Sequence, residues 1–282
     1  MKANLYALGA IALWSTLAAL GVALRHVPPL LLTGIALLIG STLSLPFVVR
    51  DRRQWQIPAA TLALGVYGLF GFHFLLFMAL RYAPPVEANL VNYLWPLFMV
   101  VLAPLLLRGV QLRALHIAAA LLGFAGAAVA ILGARSSTGA LAGGWYGGYA
   151  LALASGLIWA SYSLWTQRVA SFPTAAVGLF GVVSGALSLA CHWLLEPAAT
   201  LSPQDGLLLF VMGAGPMGAA FFLWDKALKS GDARQIGVLS YLTPLGSTVL
   251  LMLVSGRAFT WSIALAATMI ITAAMAGTRA KG

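Results

Sequence analysis

The residues of this chain with chemistry to offer are few and mostly aromatic. Trp14, Trp95 and Trp159 fall near the middle of long apolar runs, and His73 stands in GFHFLLF. Two related phrases, VNYLWP (91–96) and LSYLTP (239–244), each set a tyrosine three residues before a proline, Tyr93 before Pro96 and Tyr241 before Pro244. A mid-membrane tryptophan has an indole N–H that needs a partner, so its ring is expected to face the bundle or a cavity rather than lipid. Such rings can stack on an aromatic side chain or hold a cation over their faces. Each proline removes a helical hydrogen bond and crowds the carbonyl four residues earlier, which belongs to Asn92 or Ser240. Loosened backbone at membrane depth is tolerated where neighbours re-satisfy it or where it lines a wet cavity. The paired phrases are therefore expected to be kinks flanking one central site.

Catalytic patterns are missing. There is no H-E-x-x-H, no aspartate-rich pair and no G-x-x-x-x-G-K-[ST] loop. GAGPMG (213–218) matches G-x-G-x-x-G letter for letter, but it lies inside an apolar run without the strand and βαβ unit that dinucleotide binding needs. Cys191 is the single cysteine, so neither an intrachain disulfide nor a zinc cluster is expected, and no cofactor or metal is implied. The six acids, Asp51, Glu87, Glu196, Asp205, Asp225 and Asp232, all read as lying away from mid-span, so no buried carboxylate is expected. An intramembrane enzyme would have only Glu87 or His73 for an acid or base. His73 remains a candidate in its own right, since an ionisable residue inside a membrane is a functional candidate by default, the alternative being a histidine that only satisfies a local hydrogen bond.

The elements that must position these residues are transmembrane helices. Of 282 residues 61% are hydrophobic and 8% charged, with a mean hydropathy of +0.95. Soluble domains carry roughly 25% charged residues. Apolar runs of about 20 residues, each enough to cross a bilayer core, recur near 4–24, 30–49, 58–80, 86–107, 113–133, 145–167, 174–195, 204–226, 233–254 and 260–278. The expected fold is an all-α membrane protein of ten transmembrane helices. The net charge of +10 follows from topology: with the N-terminus inside, only Arg25, Arg81, Arg135 and Arg257 of the sixteen Lys and Arg fall outside. That bias places both termini in the cytoplasm and removes any need for a nucleic-acid partner. Six tryptophans, Trp55, Trp145, Trp165, Trp193, Trp224 and Trp261, fall near span ends and read as interfacial belt residues.

The chain also repeats itself. At an offset of 148, Ala79, Leu80, Tyr93, Leu94, Pro96 and Leu97 fall on Ala227, Leu228, Tyr241, Leu242, Pro244 and Leu245; at 145, Trp14, Pro28 and Gly40 fall on Trp159, Pro173 and Gly185. Two five-span halves, 1–140 and 141–282, follow. Because five is odd, the halves are inverted, the layout of secondary transporters with a midplane site. Gly181 and Gly185, like Gly144 and Gly148, have the small-xxx-small spacing of close helix packing.

With ALWST (12–16), VNYLWP, IWASY (158–162) and SYLTP (240–244) in view, the chain resembles the drug/metabolite transporter superfamily, in the branch with paired EamA-type repeats. The resemblance covers nearly the whole chain and implies a bacterial inner-membrane exporter of aromatic and other neutral amino acids, working by alternating access and as a monomer. By motif match it implies that Asn92, Tyr93, Trp95 and Trp159 line a central cavity, with Pro96 and Pro244 as bending points. Trp14, His73, Tyr162, Ser240 and Tyr241 complete the candidate substrate-binding set. The alternative within transport is a multidrug or lipophilic-cation exporter.

Overall fold

The computed structural model describes residues 2–133, 146–255 and 260–279. Trp145, Gly144, Arg135, Arg257, Lys281 and the expected boundary at 140 and 141 lie outside the described residues. The first crossing consists of α1 (Lys2–Ser15) and α2 (Leu17–Ala23), and the second of α3 (Pro29–Ser41) and α4 (Leu45–Arg50). The third is α5 (Ala59–Val66) and α6 (Phe72–Tyr82), and the fourth α7 (Pro85–Asn92) and α8 (Trp95–Leu106). Then come α9 (Ala114–Gly133), α10 (Tyr146–Trp165), α11 (Ala176–Leu195), and the pair α12 (Pro203–Ala214) and α13 (Ala220–Ser230). Last are α14 (Ala233–Leu239), α15 (Leu242–Ser255) and α16 (Trp261–Arg279).

Among the described residues, eight of these stretches are long and apolar enough to cross a bilayer; α10 and α16 are not among them. The apolar part of α16 is simply shorter, Trp261–Gly277. In α10 the cause is its place in the bundle. It packs against α6, α7 and α8, and its buried face carries Ser155, Trp159, Ser161, Tyr162 and Ser163 in place of aliphatic side chains.

Helix starts follow local chemistry. Pro29, Pro85 and Pro203 open their helices at a position where the missing N–H costs nothing. Ser202 and Asp205 form a reciprocal capping box at α12. Helix interiors depart from α geometry at matched places. Tyr67–Gly71 and Gly215–Ala219 are π-helical turns. Adding 148 to 67–71 gives 215–219, and adding it to 72–82, the span of α6, gives 220–230, the span of α13. The offset of 148 read from side chains thus also relates these two backbone segments.

Close packing uses the glycines expected to serve it. A Cβ on Gly185 of α11 would lie 3.0 Å from the Gly34 carbonyl of α3, and one on Gly181 would meet Ser41 Oγ at 2.5 Å. Polar ties join distant parts of the chain. The Glu196 carboxylate, at the end of α11, accepts from the Leu30 N–H at 3.0 and 3.1 Å and from Leu31 at 3.2 Å, completing the N-terminus of α3. His26 Nε2 reaches Asp205 at 3.0 Å, and the Trp55 indole donates to the Ala175 carbonyl at 3.0 Å. At the start of α14, Arg234 holds Asp232 and reaches the Gln111 carbonyl. Burial works against the Asp232 charge, but hydrogen bonds from the Arg234 side chain and backbone outweigh it and hold the carboxyl below its usual range.

Candidate substrate site

The centre of the bundle is a cluster of four tryptophans. Trp14 comes from α1, Trp95 from α8, Trp159 from α10 and Trp224 from α13, each less than a tenth exposed. Trp159 and Trp224 stack at an interplanar angle of 24°, with ring centres 6.2 Å apart. Trp14 tilts onto Trp224 at 5.1 Å and meets Trp159 edge-on at 5.8 Å. Trp95 stands at nearly right angles to both Trp159 and Trp224, at 6.4 and 5.7 Å. Offset, edge-on and tilted pairs of this kind avoid the repulsion between ring faces and add about 0.5–1.5 kcal/mol each beyond the area they bury. Tyr162, Phe72 and Phe221 enclose Trp159 at 5.4, 5.2 and 5.7 Å.

Local irregularity positions these rings. The Trp14 indole donates to the Pro216 carbonyl at 3.1 Å, inside the second π turn; a π turn shifts the backbone pairing and frees acceptors for such a side chain. The Trp224 indole donates to Ser163 Oγ at 3.1 Å. The Tyr162 ring lies across Gly68 in the first π turn, where a Cβ would come within 2.3 Å of the ring. His73 sits two residues beyond that segment and touches Phe72 and Phe221, at 5.0 and 6.1 Å. Its Nδ1 is 2.6 Å from the Leu69 carbonyl. A carbonyl only accepts, so Nδ1 carries a proton and donates it to this bond.

The fourth crossing breaks beside this cluster. Helix α7 ends at Asn92 and α8 begins at Trp95, with Pro96 second in the new helix. Asn92 is buried, and its side-chain oxygen accepts from Ser155 Oγ at 2.8 Å. Its backbone carbonyl faces Gly156 of α10, where a Cβ would approach to 2.9 Å. Tyr93 is half-buried at the break. Pro96 is buried, and its carbonyl lies against Gly237 of α14.

The stretch of α14 and α15 breaks in nearly the same register, between Leu239 and Leu242. Ser240 donates to the Ile236 carbonyl at 2.8 Å. Tyr241 is fully buried, but its ring packs against Gly123 of α9 and belongs to a separate core with Ala127 and Ile270. Pro244 is third in α15, and its carbonyl accepts from Thr248. The structure thus gathers Trp14, His73, Trp95, Trp159 and Tyr162, with Asn92 and Tyr93 at the adjoining break. Ser240, Tyr241 and Pro244 lie at the other break, outside the ring cluster.

Two sequence expectations are corrected. Trp224 is not a belt residue: it is 1% exposed and touches all three other tryptophans of the cluster. Asp225 is a buried carboxylate, 3% exposed, where none was expected. The physical cause is shared. The helix continues to Ser230 rather than ending near 226, and Phe221, Trp224, Asp225 and Leu228 form one i, i+3, i+4, i+7 face turned inward. That spacing was the available signal.

A bundle of apolar helices with interrupted crossings and an aromatic centre defines a polytopic membrane protein of the transporter kind. The EamA-like transporter family model matches it twice, over residues 1–132 and 146–277, and the chain belongs to that family. It is 40% identical to the aromatic amino acid exporter YddG of Ancylobacter novellus, over 98% of this chain and 97% of that protein. With the protein of the same name from Escherichia coli it shares 28%, over 88% and 87% of the two chains. A crystal structure of a protein 38% identical superposes with a TM-score of 0.91, covering 99% of this chain and 98% of the other. The resemblance read from the four short motifs therefore extends along the whole chain.

Proposed function

We propose that the protein is a secondary transporter that exports aromatic and other neutral amino acids by alternating access through the tryptophan cluster. The observation that carries this reading is the origin of the four rings. Trp14 and Trp95 come from the first half of the chain, and Trp159 and Trp224 from the second. A site built across two halves opens to one side or the other as the halves rock, provided the halves are inverted repeats. The ten-span, two-half organisation (1–140 and 141–282), both termini in the cytoplasm and a monomeric unit in the bacterial inner membrane belong to the same proposal. The rings now fill the site against one another, so a substrate side chain takes the place of ring-to-ring contacts. The breaks at Asn92–Trp95 and Leu239–Leu242 are the joints that let the rings separate, Pro96 and Pro244 keeping them from closing into regular helix. The names of the relatives support the substrate class.

The test is flux into liposomes holding the purified protein. Labelled phenylalanine or tryptophan should enter well above empty liposomes; no flux for a broad panel of neutral amino acids would sink the proposal. A second reading, a lipophilic-cation exporter, draws on the stacked indoles, which attract cations to their faces. Competition separates the two: quaternary ammonium compounds should compete poorly with phenylalanine, and strong competition would favour cations.

A further inference from the structure

Directly beside the ring cluster lies an ion pair that the transport reading does not use. Asp225 Oδ2 accepts from Lys229 Nζ at 2.7 Å and from Thr174 Oγ1 at 2.6 Å. Lys229 also donates to the Phe172 carbonyl at 2.8 Å and rests 3.8 Å above the Phe172 ring. The other oxygen, Oδ1, is fully buried, and no described residue donates to it. A buried carboxylate oxygen without a donor is costly, and a charge is kept inside a protein only where partners compensate it. Both compensating donors here crowd onto Oδ2, leaving Oδ1 able to accept from something else.

Its position indicates what that is. Asp225 follows Phe221 by four residues, so both project from one face of α13. Phe221 is in ring contact with Trp14, Trp159 and His73, and Trp224, the residue before Asp225, stacks on Trp159. The carboxylate therefore adjoins the cluster one turn further along α13. Lys229, another turn on, is 27% exposed at its side chain against 2% for Asp225, so the pair runs from the protein interior toward the surface. The equivalent positions of the first half, 148 residues earlier, are Phe77 and Arg81. Of these two helices, both carry the basic residue and only α13 carries the carboxylate.

We propose that Asp225 and Lys229 form the headgroup subsite of the aromatic site. Asp225 accepts the ammonium of a zwitterionic amino acid through Oδ1, and Lys229 turns to its carboxylate while the side chain enters among the tryptophans. This rests on the amino-acid reading above and adds how the zwitterion is held. A bound zwitterion matches the pair charge for charge, so no net charge is brought into the membrane interior.

The test compares ligands of one shape and different charge. Binding of labelled phenylalanine to the purified full chain in detergent is competed with unlabelled phenylalanine and with the uncharged N-acetyl-phenylalanine amide. The wild type should prefer phenylalanine by at least about tenfold, as expected when charged hydrogen bonds are lost. Replacing both members, Asp225→Asn with Lys229→Gln, leaves neither charge stranded. It should abolish most of that preference while amide binding stays within about twofold of wild type. Equal competition by the two ligands on the wild type, which needs no variant to fold, would overturn the subsite, as would a double variant that keeps the preference. Flux of amino acids without a zwitterion preference defeats this inference alone; no flux at all defeats the substrate reading beneath it.

Discussion

The two interrupted helices begin from nearly the same phrase and end in different company. At Asn92–Trp95 the broken backbone adjoins the tryptophan cluster, Trp95 enters it, and the freed Asn92 carbonyl faces Gly156 of α10. At Leu239–Leu242 the corresponding tyrosine, Tyr241, is buried against Gly123 of α9, in a core shared with α16. Thr243 stands where the first phrase has Trp95. The two phrases therefore share a break in the backbone, and only the first sets a ring into the tryptophan cluster.

The largest expected effect comes from the cluster. Trp224→Ala removes a ring that touches three others, and truncating a buried tryptophan costs about 3–5 kcal/mol. Thermal unfolding in detergent should show that loss, and phenylalanine flux per folded molecule should fall by at least about tenfold. Next come the two glycines that receive the breaks. Gly156→Ala and Gly123→Ala each overfill a tight contact, costing about 1–3 kcal/mol. Only Gly156→Ala should also lower flux once stability is corrected for, because it acts on the break beside the rings. Equal flux losses in the two variants would erase the distinction between the breaks. The smallest effect belongs to His73→Phe. It installs the residue found at the equivalent position 221, keeps a ring against Phe221, and gives up the bond to Leu69. A stability loss of about 1 kcal/mol is expected. Liposome flux should still respond to an imposed pH gradient as strongly as wild type; a lost response would make His73 the proton carrier.

Much of this was legible in the sequence. Run length and charge placement identify a helical membrane protein, and the paired Tyr–x–x–Pro phrases mark the two breaks, whereas the matched π turns carry no comparable signal in the sequence. Trp14, Trp95 and Trp159 stood out because they are far from both membrane faces. Trp224 and Asp225 did not, since hydropathy measures depth along the chain and says nothing about which way a helix face points. In a helix that continues to Ser230, both are turned into the bundle rather than out to the interface. The placement of Tyr241 was equally hidden. Its repeat mate pointed to the central site, and only the packing of α9 against α15 and α16 shows which neighbours enclose it.

The central claim is that the buried tryptophans are the transport site and the peripheral ones are not. Trp159→Ala and Trp193→Ala test it most directly, since Trp159 is 3% exposed inside the cluster and Trp193 is 83% exposed on the bundle exterior. Both variants go into liposomes at matched amounts of folded protein, and initial phenylalanine flux is compared with wild type. Flux should fall at least about tenfold for Trp159→Ala and stay within about twofold for Trp193→Ala. Comparable flux through the two would contradict the assignment of the site.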